Sequence, residues 1–88
     1  MMDAWMQCKI DKGMFPGELG ISFADFLGND VSLYASERFA DKERSAILVT
    51  VLEKADKSAR VRLPDQSFNG TTVVEVSVDR LKEVMQVA

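Results

Sequence analysis

Apolar residues recur along this chain at every second position, which is the period of half-buried β-strands. The alternating stretches are separated by turns rich in Gly, Pro, Asn and Asp. The predicted strands are 6–10, 19–23, 31–35, 47–52 and 71–78, with a short sixth strand at 60–63 before Pro64. No stretch is long enough at helical spacing to predict alternating strands and helices.

The turns between these strands predict hairpins. Residues 28–30 (Gly-Asn-Asp) and Asn69-Gly70 are hairpin signals, because Gly and Asn accept a positive φ at low cost. Residues 36–44 interrupt the alternation. They predict a loop or one helical turn, which Ser36 caps and Phe39 anchors in the core.

The end of the sequence has a helical pattern. Asp79 is expected to cap a short C-terminal helix. Leu81, Val84 and Met85 would lie on one side of it.

These elements predict an all-β fold. We expect one domain, residues 1–88, built as a small five- to six-stranded antiparallel barrel with a short C-terminal helix. Short strands, a tight hairpin and a last strand leading into a helical turn resemble SH3-like barrels. The resemblance covers most of the chain but rests on no diagnostic motif, so it implies an architecture and no binding residues.

The sequence also contains a candidate internal repeat, which aligns Phe26 with Phe68. Residues 26–31 (FLGNDV) match residues 68–73 (FNGTTV) without gaps. In the same register Leu19 and Ile21 match Val61 and Leu63, and Arg38-Phe39 matches Arg80-Leu81. Either the chain contains two similar halves, or similar β-strands require similar turn residues at two places without any duplication.

Charge and composition limit the kinds of partner and the cellular setting that we expect. The net charge is −3 and the pI is about 4.8, so no general attraction to nucleic acid or anionic lipid is expected. The beginning of the chain does not resemble a signal peptide, and no apolar run is long enough to span a membrane. Cys8 is the single cysteine and cannot form an internal disulfide, which favours a reducing, cytoplasmic setting.

Catalytic chemistry is not expected. The chain has no histidine, which removes the commonest general base and zinc ligand. Cys8 alternates with Met6 and Ile10, as a buried structural thiol would. Asp25 and Asp30 flank Gly28 as either a carboxylate pair or ordinary turn residues, and Asp is common in turns. We therefore expect no enzyme, no metal site and no cofactor.

The apolar surplus suggests an interaction module. Strands 47–52 and 72–78 carry apolar residues on both faces, and such strands need cover on both. The C-terminal helix or a partner chain, including a second copy in a homodimer, could supply that cover. The candidate interaction surface comprises Leu48, Leu52 and Val73, with Trp5, Phe15 and Tyr34 near turns and strand ends.

A basic hairpin provides the alternative function. Lys54, Lys57, Arg60 and Arg62 concentrate positive charge, and Arg60 and Arg62 share one face. Small β-barrels bind nucleic acid with such a face plus stacking aromatic residues. This hairpin has no aromatic residue and is surrounded by acids, so a solvated face explains the charges equally well. The sequence thus favours a non-catalytic protein–protein interaction or assembly module over nucleic-acid binding.

Overall fold

The two sheets of this protein are both antiparallel. The computed structural model describes residues 2–83, in which the regular structure is β-strand apart from two single turns of 3-10 helix. The strands are β1 (Met2–Gln7), β2 (Lys9–Lys12), β3 (Glu18–Ala24), β4 (Asp30–Ser36), β5 (Ala40–Asp41), β6 (Ala46–Lys54), β7 (Ser58–Arg62), β8 (Val73–Ser77) and β9 (Leu81–Glu83). The mainly β prediction is confirmed, and the described residues form nine strands where five or six were expected.

Strand pairing divides the molecule into a large and a small sheet. The large sheet has the order β8-β7-β6-β1-β9, with β5 beside β6, and the small sheet has the order β2-β3-β4. The predicted barrel is wrong in that no closed barrel forms, because the strands of residues 2–83 belong to two sheets. The chain passes between the sheets at Cys8, whose N–H donates to the Ser45 carbonyl (2.8 Å).

The core lies between the two sheets and is lined by alternate residues of the strands. In β3 the buried positions are Leu19, Ile21 and Phe23, as the sequence predicts. The large side chains with the least exposure are Met6, Ile21, Leu33, Ile47, Val49, Val61 and Val76. These residues come from both sheets and form one cluster, so the sheets share a single core.

The predicted C-terminal helix is absent from the described residues. Ser77, not Asp79, caps a 3-10 turn at Val78–Arg80, and its hydroxyl accepts from the Asp79 N–H (3.3 Å). Leu81 then begins β9, which pairs with β1 and continues the large sheet. A helix of so few residues is only weakly favoured, because its first turn is costly to form. Pairing with the free edge of β1 instead satisfies backbone groups that would otherwise lack hydrogen-bond partners. Val84 and Met85 lie outside the described residues.

The segment 36–44 is a 3-10 turn followed by a short strand. Ser36 caps the turn at Glu37–Phe39 as predicted, with its hydroxyl accepting from the Arg38 N–H (3.5 Å). Phe39 is half-buried and lies outside the core cluster, whereas Ala40 packs against that cluster. The predicted anchor is therefore wrong by one residue, because β5 turns Ala40 toward its cross-strand partner Ile47.

The two halves of the chain share the same backbone hydrogen bonds in their glycine turns and 3-10 turns. Each glycine turn is closed by the same two backbone hydrogen bonds, Asp25 N to Asn29 O (2.8 Å) and Gly28 N to Asp25 O (3.0 Å) in the first half, and Ser67 N to Thr71 O (2.8 Å) and Gly70 N to Ser67 O (2.9 Å) in the second. A 3-10 turn follows in each half. Glu37 N bonds to Gly17 O (2.9 Å), and its counterpart Val78 N bonds to Lys57 O (3.1 Å).

The register between the halves shifts along the chain. In the glycine turns it agrees with the sequence alignment, since Asp25 corresponds to Ser67. At β3 it does not, because Ile21 lies between Ile10 and Leu33 as Val61 lies between Val51 and Val74. The alignment of Ile21 with Leu63 is therefore wrong. The chain from Val61 to Ser67 is two residues longer than that from Ile21 to Asp25, which accounts for the shift.

Candidate functional site

The first glycine turn holds two apolar side chains at the surface. The Asp25 carboxylate accepts the backbone N–H groups of Leu27 (3.0 Å) and Asn29 (2.9 Å), and Gly28 adopts a φ of +89°. These bonds stabilise the path of the backbone through the turn. Phe26 is 42% exposed and Leu27 is 81% exposed.

The second glycine turn is built in the same way with different side chains. The Ser67 hydroxyl accepts the Thr71 N–H (3.1 Å), and Gly70 adopts a φ of +86°. Phe68 lies at the tip, is 63% exposed, and contacts the Tyr34 ring with centroids 5.0 Å apart. An aromatic residue is thus displayed at the same position of both turns.

Each turn docks on the edge strand of the other half. Phe26 N donates to the Glu75 carbonyl of β8, and Phe68 N donates to the Ser32 carbonyl of β4, both at 2.8 Å. These bonds occupy carbonyls that would otherwise lie free on an edge strand. They also hold the turns rigidly against the sheets.

A cleft of about 270 Å³ lies between the two turns, and we call it the turn cleft. It is lined by Asp25, Phe26, Leu27, Val31, Ser67, Asn69, Thr71, Val73, Val74 and Glu75. Its two charged side chains are both carboxylates. Glu75 accepts a hydrogen bond from the Ser58 hydroxyl (2.9 Å), and neither Asp25 nor Glu75 pairs with a cation among residues 2–82. Polar and apolar residues therefore contribute equally to the lining, and its only charges are negative.

The structure divides the six predicted interaction residues among several places. Val73 lines the turn cleft. Tyr34 contacts the ring of Phe68, which lies at the tip of the second glycine turn. Trp5 and Leu48 are cross-strand partners elsewhere on the large sheet. The two remaining residues are Leu52, beside the irregularity in β6, and Phe15, which is 67% exposed in the β2–β3 connection.

The predicted surplus of exposed apolar strand surface is smaller than expected. Leu48, Leu52 and Val73 are all half-buried by the described chain. The strongly exposed apolar residues instead lie at turns, notably Leu27 and Phe68. From the sequence, both glycine turns are predicted only as connections between strands. The Phe-x-Gly pattern that they share at 26–28 and 68–70 was the signal that marks this site.

The basic hairpin has the geometry that the sequence predicts but little free charge. Arg60 and Arg62 are exposed on one face of β7. Arg60 Nη1 lies 3.6 Å from the Glu53 carboxylate, and Arg60 is the cross-strand partner of Glu75. Lys54 and Lys57 are exposed at the end of the same hairpin. The neighbouring acids reduce the attraction that this face could exert on phosphates.

Cys8 is buried, as predicted. Burial raises the pKa of its thiol from 9.0 to about 11, and the nearby charge of Arg80 opposes that rise. A thiol with such a pKa is protonated and poorly nucleophilic at neutral pH. Among residues 2–83 no group of three or more metal-ligating side chains is close enough to hold an ion. The described residues contain no helix of the length and apolarity needed to cross a membrane.

Comparisons with protein-family models, with curated proteins and with solved structures found no match. The geometry of the surface therefore carries the functional inference.

Proposed function

We propose that the protein is a non-catalytic binding module that holds an apolar, basic segment of a protein partner in the turn cleft. The observation that carries the proposal is the exposure of Phe26 and Leu27, two neighbouring apolar residues that both line the turn cleft. Exposed apolar side chains grouped at one place are typical of interaction sites, whereas isolated ones are not.

The chemistry of the cleft selects the kind of partner. Its apolar residues suit aliphatic or aromatic side chains, and the Asp25 and Glu75 carboxylates suit a lysine or arginine beside them. The same carboxylates repel phosphate groups. At about 270 Å³ the cleft has room for one or two side chains rather than a whole domain. A short segment is therefore the occupant that fits.

Rigid display of the aromatic residues supports such binding. Side chains that are already ordered lose little conformational entropy when a partner binds. The Phe68 ring contacts the Tyr34 ring, and the backbone at Phe68 and Phe26 is bonded to Ser32 and Glu75. We place the protein in a reducing, cytoplasmic setting because its one cysteine is buried and unpaired.

The test is selection of peptides from a phage-displayed library of random dodecapeptides on the full chain. We expect the selected peptides to combine apolar and basic residues and to shift the amide signals of residues 25–31 and 67–75. Leu27→Asp should abolish binding without unfolding the protein, because Leu27 is 81% exposed. Phe15→Asp is the matched control, since Phe15 is also well exposed but lies outside the cleft.

Three results would contradict the proposal. One is selection of peptides that bind Leu27→Asp as tightly as the natural sequence. Another is mapping of all bound peptides to residues outside the cleft. The third is a stable dimer, by light scattering, whose interface covers the cleft, since this would make a second copy the occupant. Binding of RNA to the 54–62 hairpin would instead support the alternative function, which no contact among the described residues specifically favours.

A further inference from the structure

A second cleft, distinct from the turn cleft, combines the single tryptophan with positive charge. It has a volume of about 490 Å³, and we call it the Trp cleft. It is lined by Trp5, Gln7, Arg44, Ala46, Asp79, Arg80, Leu81 and Lys82. The lining contains three cations and one carboxylate, which is the reverse of the charge in the turn cleft.

The strands that form this cleft explain why these side chains meet. β1 supplies Trp5 and Gln7, and strand pairing sets Lys82 of β9 directly beside Trp5. The 3-10 turn before β9 contributes Arg80, and the connection between β5 and β6 contributes Arg44. Residues from three separate parts of the chain thus line one cleft together with Trp5.

Two of the cations in the Trp cleft have no carboxylate partner among residues 2–82. Arg44 Nε pairs with Asp41 (3.4 Å), but neither Arg80 nor Lys82 forms an ion pair within that part of the chain. Arg80 is moreover half-buried. A guanidinium that has lost part of its hydration without gaining a carboxylate is a favourable site for an anion.

The indole adds a surface for an aromatic ring. Trp5 is half-buried and lines both this cleft and a neighbouring one that contains Glu37, Asp41 and Glu43. The neighbouring cleft has more acids than bases, so an anion attached to a ring on Trp5 would be directed to the Arg80 side. Nucleic-acid bases of any kind can stack on such an aromatic side chain, because every base has a π-face.

We propose that the Trp cleft binds a mononucleotide, with the base against Trp5 and the phosphate between Arg80, Lys82 and Arg44. The Gln7 amide and the Asp79 carboxylate provide hydrogen-bonding groups for the base edge or the ribose hydroxyls. The volume lies within the range of about 300–1,000 Å³ typical of small-molecule sites. This site is independent of the turn cleft, and its test can fail or succeed separately.

Trp5 is the only tryptophan, so its fluorescence reports directly on the cleft. Titration of the full chain with AMP should give saturable quenching that weakens as salt is raised. Adenosine and inorganic phosphate should each bind much more weakly, because each lacks one half of the recognised group. Titration with the oligonucleotide (rA)6 tests whether the cleft binds a nucleotide within a strand rather than a free nucleotide.

Variants separate the proposed contacts from general charge effects. Lys82→Gln and Arg80→Gln should each weaken AMP binding about tenfold or more, the usual effect of losing a charge-assisted hydrogen bond. Arg62→Gln removes one cation from the same sheet outside the cleft and should change little. Lys82 is exposed, so its variant keeps the test valid even if Arg80→Gln disturbs folding.

Any of four results would overturn the proposal. These are the absence of saturable quenching by AMP, equal affinity for adenosine and AMP, equal affinity for inorganic phosphate and AMP, or binding of (rA)6 alone. An equal loss of affinity in Arg62→Gln and Lys82→Gln would also overturn it, because the effect would then come from net charge.

Discussion

The glycines at the turn tips and in the strands allow a prediction in which the same chemical change has opposite effects. Gly28 has a φ of +89° and open space around the position of an added Cβ. Gly20, in the middle of β3, has no positive φ, and its nearest Cβ contact would be the Lys12 carbonyl at an ordinary 3.4 Å. Replacing each glycine by alanine therefore tests the effect of backbone strain at two positions where an added Cβ is not crowded.

The magnitude follows from two terms. A non-glycine residue in the left-handed region costs about 1–2 kcal/mol. Any Gly→Ala change also restricts the unfolded chain, which stabilises the protein by about 0.4–1 kcal/mol. The second term is common to Gly28→Ala and Gly20→Ala, so the two variants should differ by about 1–2 kcal/mol in the free energy of unfolding. For a domain of this size that is a difference in Tm of at least about 4 °C.

Thermal and urea denaturation followed by circular dichroism measure this difference. Gly70→Ala should behave like Gly28→Ala, since Gly70 has a φ of +86° in the equivalent turn and its new Cβ would meet Gln66 Nε2 at an ordinary 3.4 Å. Equal stability of Gly28→Ala and Gly20→Ala would refute the reasoning. It would mean that the turn relaxes out of the left-handed conformation without loss.

Three other predictions concern the core, the thiol and the basic hairpin. Leu33→Ala should lower the free energy of unfolding by about 2–5 kcal/mol in urea denaturation, because Leu33 is fully buried. Leu27→Ala, at a strongly exposed position, should change it by less than about 0.5 kcal/mol, and equal effects would contradict the burial pattern. Folding raises the pKa of Cys8 from 9.0 to about 11. The protonated thiol therefore contributes its full stabilisation below pH 9.0, and this stabilisation is lost as the pH rises to about 11. Cys8→Ala should remove this part of the pH dependence of stability, and an unchanged slope would argue against a buried thiol. Titration with single-stranded RNA at low salt should leave the amide signals of Lys57, Arg60 and Arg62 unmoved, because Glu53 and Glu75 lie beside Arg60; shifts confined to that hairpin would reverse this view.

The alternation of apolar residues predicted most of the core and several of the strands, although residues 6–10 are divided between β1 and β2, which belong to different sheets. Leu19, Ile21, Phe23, Val49 and Val61 were all expected to face inward and are buried, because a period of two is a direct consequence of strand geometry. The glycine turns were also predictable, since a positive φ is costly for most other residues.

The features that the sequence did not reveal depend on distant pairing. Whether Leu81 continues as a helix or a strand depends on the free edge of β1, where Leu81 is the cross-strand partner of Met6. The cross-strand position of Lys82 beside Trp5 and the docking of Phe26 on Glu75 likewise join segments far apart in the chain. Local periodicity carries no information about such contacts.

Hydrogen exchange of the backbone amides tests most directly the claim that the two glycine turns are locked onto the opposite edge strands. Phe26 and Phe68 lie at exposed tips, so their amides should exchange freely unless they are bonded to Glu75 and Ser32. We predict strong and similar protection at both positions, and rapid exchange at the neighbouring Asn69 amide. Rapid exchange at Phe26 and Phe68 would contradict this claim, because the turn cleft would then lack the rigid walls on which its proposed role depends.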